Sequence, residues 1–402
     1  MKAVEGGVCA PKGYTAGVAG AGVKPGTSRL DCGLIVSDGP AAAAGVFTRN
    51  IVKAAPVTWC QACCSRGQVQ AIFVNSGNAN ACTGPEGDED VRTTAEVTAK
   101  KLGIAPELVA VCSTGLIGAR LPMKRIERGI GQAAANRSEY GSRSCAEAMM
   151  TTDTVPKEAA LEISLESGAT VRLGGIAKGA GMLAPHMATM LAFVTTDAAI
   201  SHDALHGFLT EAVDNSFNSI SVDNDTSTND TVLILANGAA DEARIEPGTP
   251  DGERFREALG ALCRDLALQL VRDGEGAMKL VTLHVRGAAS DAEARRVARA
   301  IGCSQLCKTA FHGEDPNWGR IACAAGYAGV EFDPGALAIW LNDMLLVQQG
   351  QAADYVDEEA QALMQRETFT FTVDIGTGPG EAVFWTTDLS HEYIRINADY
   401  RS

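Results

Sequence analysis

The chain has no excess of basic residues. Its 402 residues carry a net charge of −15 and a pI of about 4.9. Nucleic acids and anionic membrane surfaces are gripped through basic patches, so neither is expected as a main partner. The first residues, Met1 to Tyr14, hold no apolar signal core, which predicts a cytoplasmic protein with reduced thiols. The twelve cysteines are scattered among Ala, Val and Leu, without the spacing of a disulfide framework. Cys60, Cys63 and Cys64 cluster, but no second Cys/His pair stands nearby to complete a four-ligand zinc site, and no metal is expected. His202 and His206 lie four apart without the glutamate of an HExxH motif, and they read as a solvated helix face. The Gly17–Val23 segment (GVAGAGV) misses the GxGxxG spacing and runs into Pro25 where a helix should start, so it reads as a loop and not a dinucleotide site. The Phe217–Asp230 segment is dense in Asp, Asn, Ser and Thr but lacks the ligand spacing and glycine of an EF-hand. Its hydroxyls and amides suit the lining of a site, or one another.

One uncharged stretch, Gly179 to Thr196, approaches the length of a membrane span. Pro185, His186, two glycines and several threonines interrupt it, and basic anchors do not flank it on both sides. A segment buried in protein is the better reading.

What is present is enough apolar content, 46%, for a sizeable core, and a length that suits two domains or one large layered unit. Period-two alternation predicts strands at Leu161–Leu165, Val281–Val285 and Phe369–Ile375, and Ala71–Val74 reads as a buried strand. Helical stripes run through Val91, Ala95, Thr98 and Leu102; through Phe255, Leu259, Leu262, Leu266 and Leu270; and through Ala294, Val297 and Ile301. The elements are mixed without strict βαβ alternation, which predicts α+β layers over a doubly wound sheet. Gly238–Asp251 and Gly376–Glu381 read as surface connections.

Several polar segments stand out. Asn75–Gly84 (NSGNANACTG) directly follows a predicted strand; it is either a network that satisfies its own backbone or the wall of a site. In Val111–Gly118 (VCSTGLIG) the Thr114–Gly115 turn offers a hydroxyl and a backbone N–H, the two kinds of donor an oxyanion hole needs. Thr151–Glu158 (TTDTVPKE) reads as a helix-terminal turn or loop. Phe311–Arg320 (FHGEDPNWGR) reads as an interface, a site, or a rigid turn capped by Asp315 with Arg320 paired.

The stretch Lys178–Asp197, KGAGMLAPHMATMLAFVTTD, carries the main chemical expectation. It reads as a flexible, glycine-broken lead-in followed by the Ala188–Thr189 bond and an apolar run. A threonine hydroxyl is a weak nucleophile at neutral pH. Cleavage before Thr189 would supply a base on the same residue, since a free α-amine titrates at about 7.7–8.0, against about 10.4 for a lysine side chain. Ala188 is small and leaves its carbonyl open to attack, while Gly179 and Gly181 allow the backbone strain of an N→O shift.

These segments together resemble the ornithine acetyltransferase family (the glutamate N-acetyltransferases of arginine biosynthesis). The likeness runs almost end to end: APKGY, AGVFTRNIVKAAPV, NSGNANACTG, STGLIG, MTTDT, KGAGMLAPHMATMLAFVTTDA, DTSTND, GEGA, GEDPNWGRIA and YIRINADYRS occur in the family's order. The resemblance implies an α+β fold, a layered helix/sheet sandwich of the self-processing, DmpA-like type. It implies self-cleavage between Ala188 and Thr189 into an α chain (1–188) and a β chain (189–402), assembled as an α2β2 heterotetramer. It implies ping-pong transfer of acetyl from N2-acetylornithine to L-glutamate through an ester on Thr189. Thr114 and Gly115 match the family's oxyanion pair. Thr151, Lys178, Thr189, Glu275, Asn397 and Ser402 fall on its substrate-binding positions, where Lys178 suits a carboxylate and Glu275 a cationic amine. No cofactor is implied, and acetyl-CoA stays open as a co-substrate, because the quoted motifs do not separate members that use it from those that do not. Two positions depart from the family's usual pattern: Ser402, where threonine is at least as common, and His186, where a smaller polar residue is usual. A self-processing amidase or aminopeptidase, with water as acyl acceptor, is the competing activity.

Overall fold

A computed structural model describes residues 1–24, 26, 29–166, 168–184, 190–240, 244–376 and 378–399. The first sheet is built from β1 (Lys2–Ala3), β2 (Tyr14–Ala19), β3 (Cys32–Phe47), β4 (Gln68–Asn75), β5 (Val109–Ser113), β6 (Lys157–Ser164), β7 (Thr170–Lys178) and β8 (Leu191–Thr196). The two-residue β9 (Ile220–Ser221) belongs to the second sheet, and β10 (Thr231–Ala236) returns to the first. The first sheet runs in the order β1-β6-β7-β8-β10-β3-β4-β5, with β2 paired to β3. The second adds β11 (Leu280–Ala288), β12 (Ala338–Leu341), β13 (Met344–Gln348), β14 (Gln351–Ala352), β15 (Thr368–Asp374) and β16 (Gly380–Thr387). Its order is β14-β13-β12-β15-β11-β16-β9.

The helices are α1 (Ala55–Ser65), α2 (Gly84–Leu102), α3 (Met123–Ala135), α4 (Ser142–Met149), α5 (His202–Asp214), α6 (Pro250–Arg272), α7 (Asp291–Gly302), α8 (Gln305–His312), α9 (Trp318–Gly326), α10 (Asp357–Met364) and α11 (His391–Asp399). Residues of α1 and α4 meet one face of the first sheet at Ile35, Ile72, Val74 and Phe193. The other face, through Leu34, Phe73 and Val111, meets α2 and α3, and through Val194, Val232 and Ile234 it meets α5 and α6. The sheet is therefore the middle of three layers, as the α+β reading expects. The second sheet carries its own core against α7, α8, α9 and α10.

Local chemistry explains the longest helix. Thr249 caps α6 by accepting from the Gly252 N–H, and Pro250 opens it without wasting a donor. Its stripe from Phe255 to Leu270 is buried, at roughly 1.5–3 kcal/mol for each large side chain taken from water. Strand β8 explains the uncharged run. It lies between β7 and β10, all six of its residues are buried, and both faces are covered. Such a strand has no polar face to alternate with.

Some expectations change. Gly17–Ala19 complete strand β2, so only the remainder of GVAGAGV lies outside a strand. Within Gly238–Asp251, Ile245 is buried and bridges Ile200. His206 is exposed on α5, but His202 is half-buried, with Nδ1 at 2.8 Å from the Ala43 carbonyl. Helix α9 is capped by Asn317, which accepts from the Arg320 N–H, while the Asp315 carboxylate accepts from the Asn317 side chain. Cys60, Cys63 and Cys64 are core residues of α1, and Cys60 lies 3.8 Å from the equally buried Cys112. No helix among the described residues is long and apolar enough to cross a membrane.

Candidate active site

One cavity of about 80 Å³ gathers residues from distant parts of the chain: Thr114, Gly115, Thr151, Ser227, Thr228, Asn229, Glu275 and Asn397 are on its wall. Strand β5 delivers Thr114 and Gly115 at its C-terminal end. The Thr114 N–H is held by the Asn75 carbonyl at 3.0 Å. Gly115 has φ +129°, and a Cβ there would stand 2.4 Å from the Gly77 carbonyl carbon. Only glycine fits this turn. Gly115 lies on the cavity wall, so its backbone borders the space a ligand would take.

The Asn75–Gly84 loop underlies the turn, and both of its readings hold. Asn75 donates to the Asn78 carbonyl at 2.9 Å and accepts from the Ser113 hydroxyl at 2.7 Å. Asn78 donates to the Ala119 and Arg120 carbonyls. The loop satisfies its own backbone, and Ala79 also lines the cavity. Asn229 ties the opposite wall to it by donating to the Ala79 and Ser113 carbonyls at 2.6 and 2.8 Å.

Lys178 ends β7 with its side chain buried. Its ammonium donates to the Thr151 hydroxyl at 2.8 Å and to the Thr114 hydroxyl at 3.4 Å. A hydroxyl that accepts at its oxygen keeps its own proton to donate. Burial pulls the Lys178 pKa down, and Asp153 works in the opposite direction. Asp153 was not singled out by the sequence. It accepts from the Thr151 N–H at 3.0 Å, the Gly179 N–H at 2.7 Å and Lys157 at 2.6 Å, and lies 3.8 Å from Lys178. Burial alone would raise its pKa, but Lys178 and Lys157 hold it down at about 2. Asp273 completes the buried group by bonding Lys157 at 2.5 Å. Thus TTDTVPKE is no ordinary loop: it supplies a buried carboxylate around which the site is ordered.

The lead-in to the proposed cleavage point is pinned rather than flexible over its described part. Gly179 is held by Asp153, and Glu275 donates its N–H to the Ala180 carbonyl at 2.7 Å. Asp223 accepts from the Met182 and Leu183 N–H groups and from the Tyr393 hydroxyl. Burial raises the Asp223 carboxyl to about 6. Gly179 has φ +148°, whereas Gly181 is glycine for another reason: a Cβ there would lie 2.4 Å from the Glu275 carboxyl. Asn397, on α11, donates to that carboxyl at 2.7 Å. Ala188, Thr189, His186 and Ser402 lie outside the described residues. Met190, directly after Thr189, donates its N–H to Asp230 at 3.0 Å.

The arrangement offers oxyanion-type donors, a buried cation and a carboxylate around one small cavity. Among the described residues no group of His, Cys, Asp and Glu could hold a metal ion. The FHGEDPNWGR segment is elsewhere; Glu314 to Trp318 line a separate cavity with Tyr355 and Asp357.

Residues 15–402 match the ArgJ family. The chain is 48% identical to the arginine biosynthesis bifunctional protein ArgJ of Symbiobacterium thermophilum, over the full length of both. It is 45% identical to that of Gloeobacter violaceus, covering 99% of this chain and 98% of the relative. The crystal structure of ArgJ from Bacillus halodurans matches with a TM-score of 0.51 at 44% identity, covering 52% of this chain and 98% of that one. With a family match over nearly its whole length and relatives of this identity, the chain belongs to the ArgJ family.

Proposed function

We propose that this chain transfers an acetyl group from N2-acetylornithine to L-glutamate, giving ornithine and N-acetylglutamate, after cutting itself between Ala188 and Thr189. The observation that carries the reading is the shared cavity. Thr114, Gly115, Thr151, Glu275 and Asn397 come from four separate parts of the sequence and border one space, with Lys178 directly behind two of them. ArgJ relatives bearing the name of an arginine biosynthesis enzyme support it. The matched Bacillus halodurans chain is only about half as long as this one, as a chain divided near residue 188 would be.

In this scheme the Thr189 hydroxyl attacks the acetyl carbonyl, and its own α-amine takes the proton. The Thr114 hydroxyl and the Gly115 N–H stabilise the oxyanion. Ornithine leaves, glutamate enters, and its amine attacks the acetyl ester in the reverse sense. Lys178 with Thr151 serves the substrate carboxylate, and Glu275 with Asn397 serves the ornithine ammonium. Ser402 completes the binding set. The α (1–188) and β (189–402) pieces assemble as an α2β2 heterotetramer in the cytoplasm; glutamate acetylation assayed with acetyl-CoA in place of N2-acetylornithine reads whether acetyl-CoA is a second donor.

Intact mass measurement of the purified protein tests the cleavage. Two fragments, with Thr189 beginning the second, are expected, and Thr189→Ala should remain whole and inactive. An unmodified chain that stays whole yet turns over would sink the reading. Net release of acetate without acetylated glutamate would assign the amidase activity instead.

A further inference from the structure

Asp230 ends the DTSTND run and enters β10, whose Thr231 pairs in parallel register with Leu191 of β8. It therefore stands beside Met190, the residue after the proposed nucleophile. The side chain is fully buried. Its Oδ1 accepts the Met190 N–H at 3.0 Å. Its Oδ2, equally buried, has no hydrogen-bond partner among the described residues; the Ser227 N–H and hydroxyl face the carboxyl and favour its ionised form, but burial outweighs them. A buried ionised carboxylate with an unused oxygen is costly. A carboxylic acid with a transferable proton is the cheaper state, and burial pushes Asp230 well above the usual carboxylate range. Nothing in the transferase cycle requires this group. Yet successive amide nitrogens of a chain lie within about 4 Å of each other, so the nitrogen that must leave Ala188 is one residue from the N–H that Asp230 already holds.

We propose that Asp230 is the proton relay of chain cleavage, an inference that rests on the Ala188–Thr189 reading. As the Thr189 hydroxyl oxygen bonds to the Ala188 carbonyl carbon, the C–N bond breaks and its electron pair stays on the Thr189 nitrogen. The neutral Asp230 carboxyl gives that nitrogen its proton and takes the hydroxyl proton in return. The carboxyl ends as it began, and the net change is a proton moved from oxygen to nitrogen. If the proton is delivered before the second is received, Lys178 favours the transient carboxylate. Water then hydrolyses the ester and frees the new chain end.

Asp230→Asn tests this, because an amide keeps the size and the acceptor for Met190 but cannot relay a proton. Freshly translated chains are followed by intact mass. The Asn variant should cleave at least about 100-fold more slowly than the unmodified chain, the lower range for acid–base assistance. Its fold is checked by comparing the thermal melt of Thr189→Ala/Asp230→Asn with that of Thr189→Ala. Cleavage within threefold of the unmodified rate overturns the relay while leaving the cleavage reading intact. An unmodified chain that stays whole at 41.9 kDa overturns both. Should the Asn variant fail to fold, Asp230→Glu decides: cleavage by this longer acid supports the relay, and a folded but uncut Glu variant overturns it.

Discussion

The carboxyl of Glu275 occupies the space that a side chain on Gly181 would fill, with a Cβ there only 2.4 Å from the carboxyl carbon. Gly181→Ala should therefore push Glu275 away and break its bond from Asn397. A hydrogen bond to a charged group is worth about 1.5–3 kcal/mol, so KM for acetylornithine should rise about 10- to 100-fold. The thermal melt should barely move, because a flexible side chain gives way and no backbone does. An unchanged KM would separate Glu275 from ammonium binding.

Thr114 should show in kcat. Thr114→Ala removes an oxyanion donor and should slow acyl transfer about 10²- to 10³-fold, whereas Thr114→Ser should recover most of it. Steady-state rates with both substrates decide this. An Ala variant as fast as the unmodified protein would remove the role.

Asp153 should be visible in stability against pH. Its folded pKa of about 2 is below the ordinary 3.8, so on acidification the unfolded chain takes up the proton first. The contribution of Asp153 is whole above the ordinary value and is lost as pH falls towards 2. Asp153→Asn leaves Lys157 and Lys178 buried with one fewer counter-charge and should cost about 3–5 kcal/mol. Denaturant melts between pH 7 and pH 2 should also show a shallower acid limb in the variant.

Lys178 predicts an alkaline limb. Burial lowers its pKa from 10.5, so it sheds its proton earlier than an exposed lysine as pH rises. Its hold on a substrate carboxylate then fades, and KM for glutamate should climb before pH 10.5. Lys178→Arg, which stays charged throughout, should lose that limb however weak its basal activity.

Much of the fold is legible because burial leaves a period. The alternation at Val281–Val285 and the stripe from Phe255 to Leu270 became β11 and α6. Thr114, Gly115, Thr151, Glu275 and Asn397 were legible through the resemblance, and they border one cavity. The buried charges were not. Asp153 and Lys157 sit in a segment that looks like any polar turn, and their meaning depends on Lys178 and on Asp273, which is 116 positions from Lys157. The pinned lead-in was missed for the same reason. Its two glycines suggest freedom, but Asp153 and Asp223, far away in sequence, remove it.

Strands β7 and β8 are hydrogen-bonded neighbours from Leu173–Thr196 to Lys178–Leu191, and the proposed cut falls in the connection between them. Cleavage would leave that ladder continuous while ending the covalent path across it. Neither piece would own a complete sheet: without β8 and β10, the strands β7 and β3 would present bare edges. The uncut chain could recover its sheet by itself, at a rate independent of concentration. The cut protein would have to find its other half, so its refolding should become second order, and a fold first made by one molecule would afterwards depend on two.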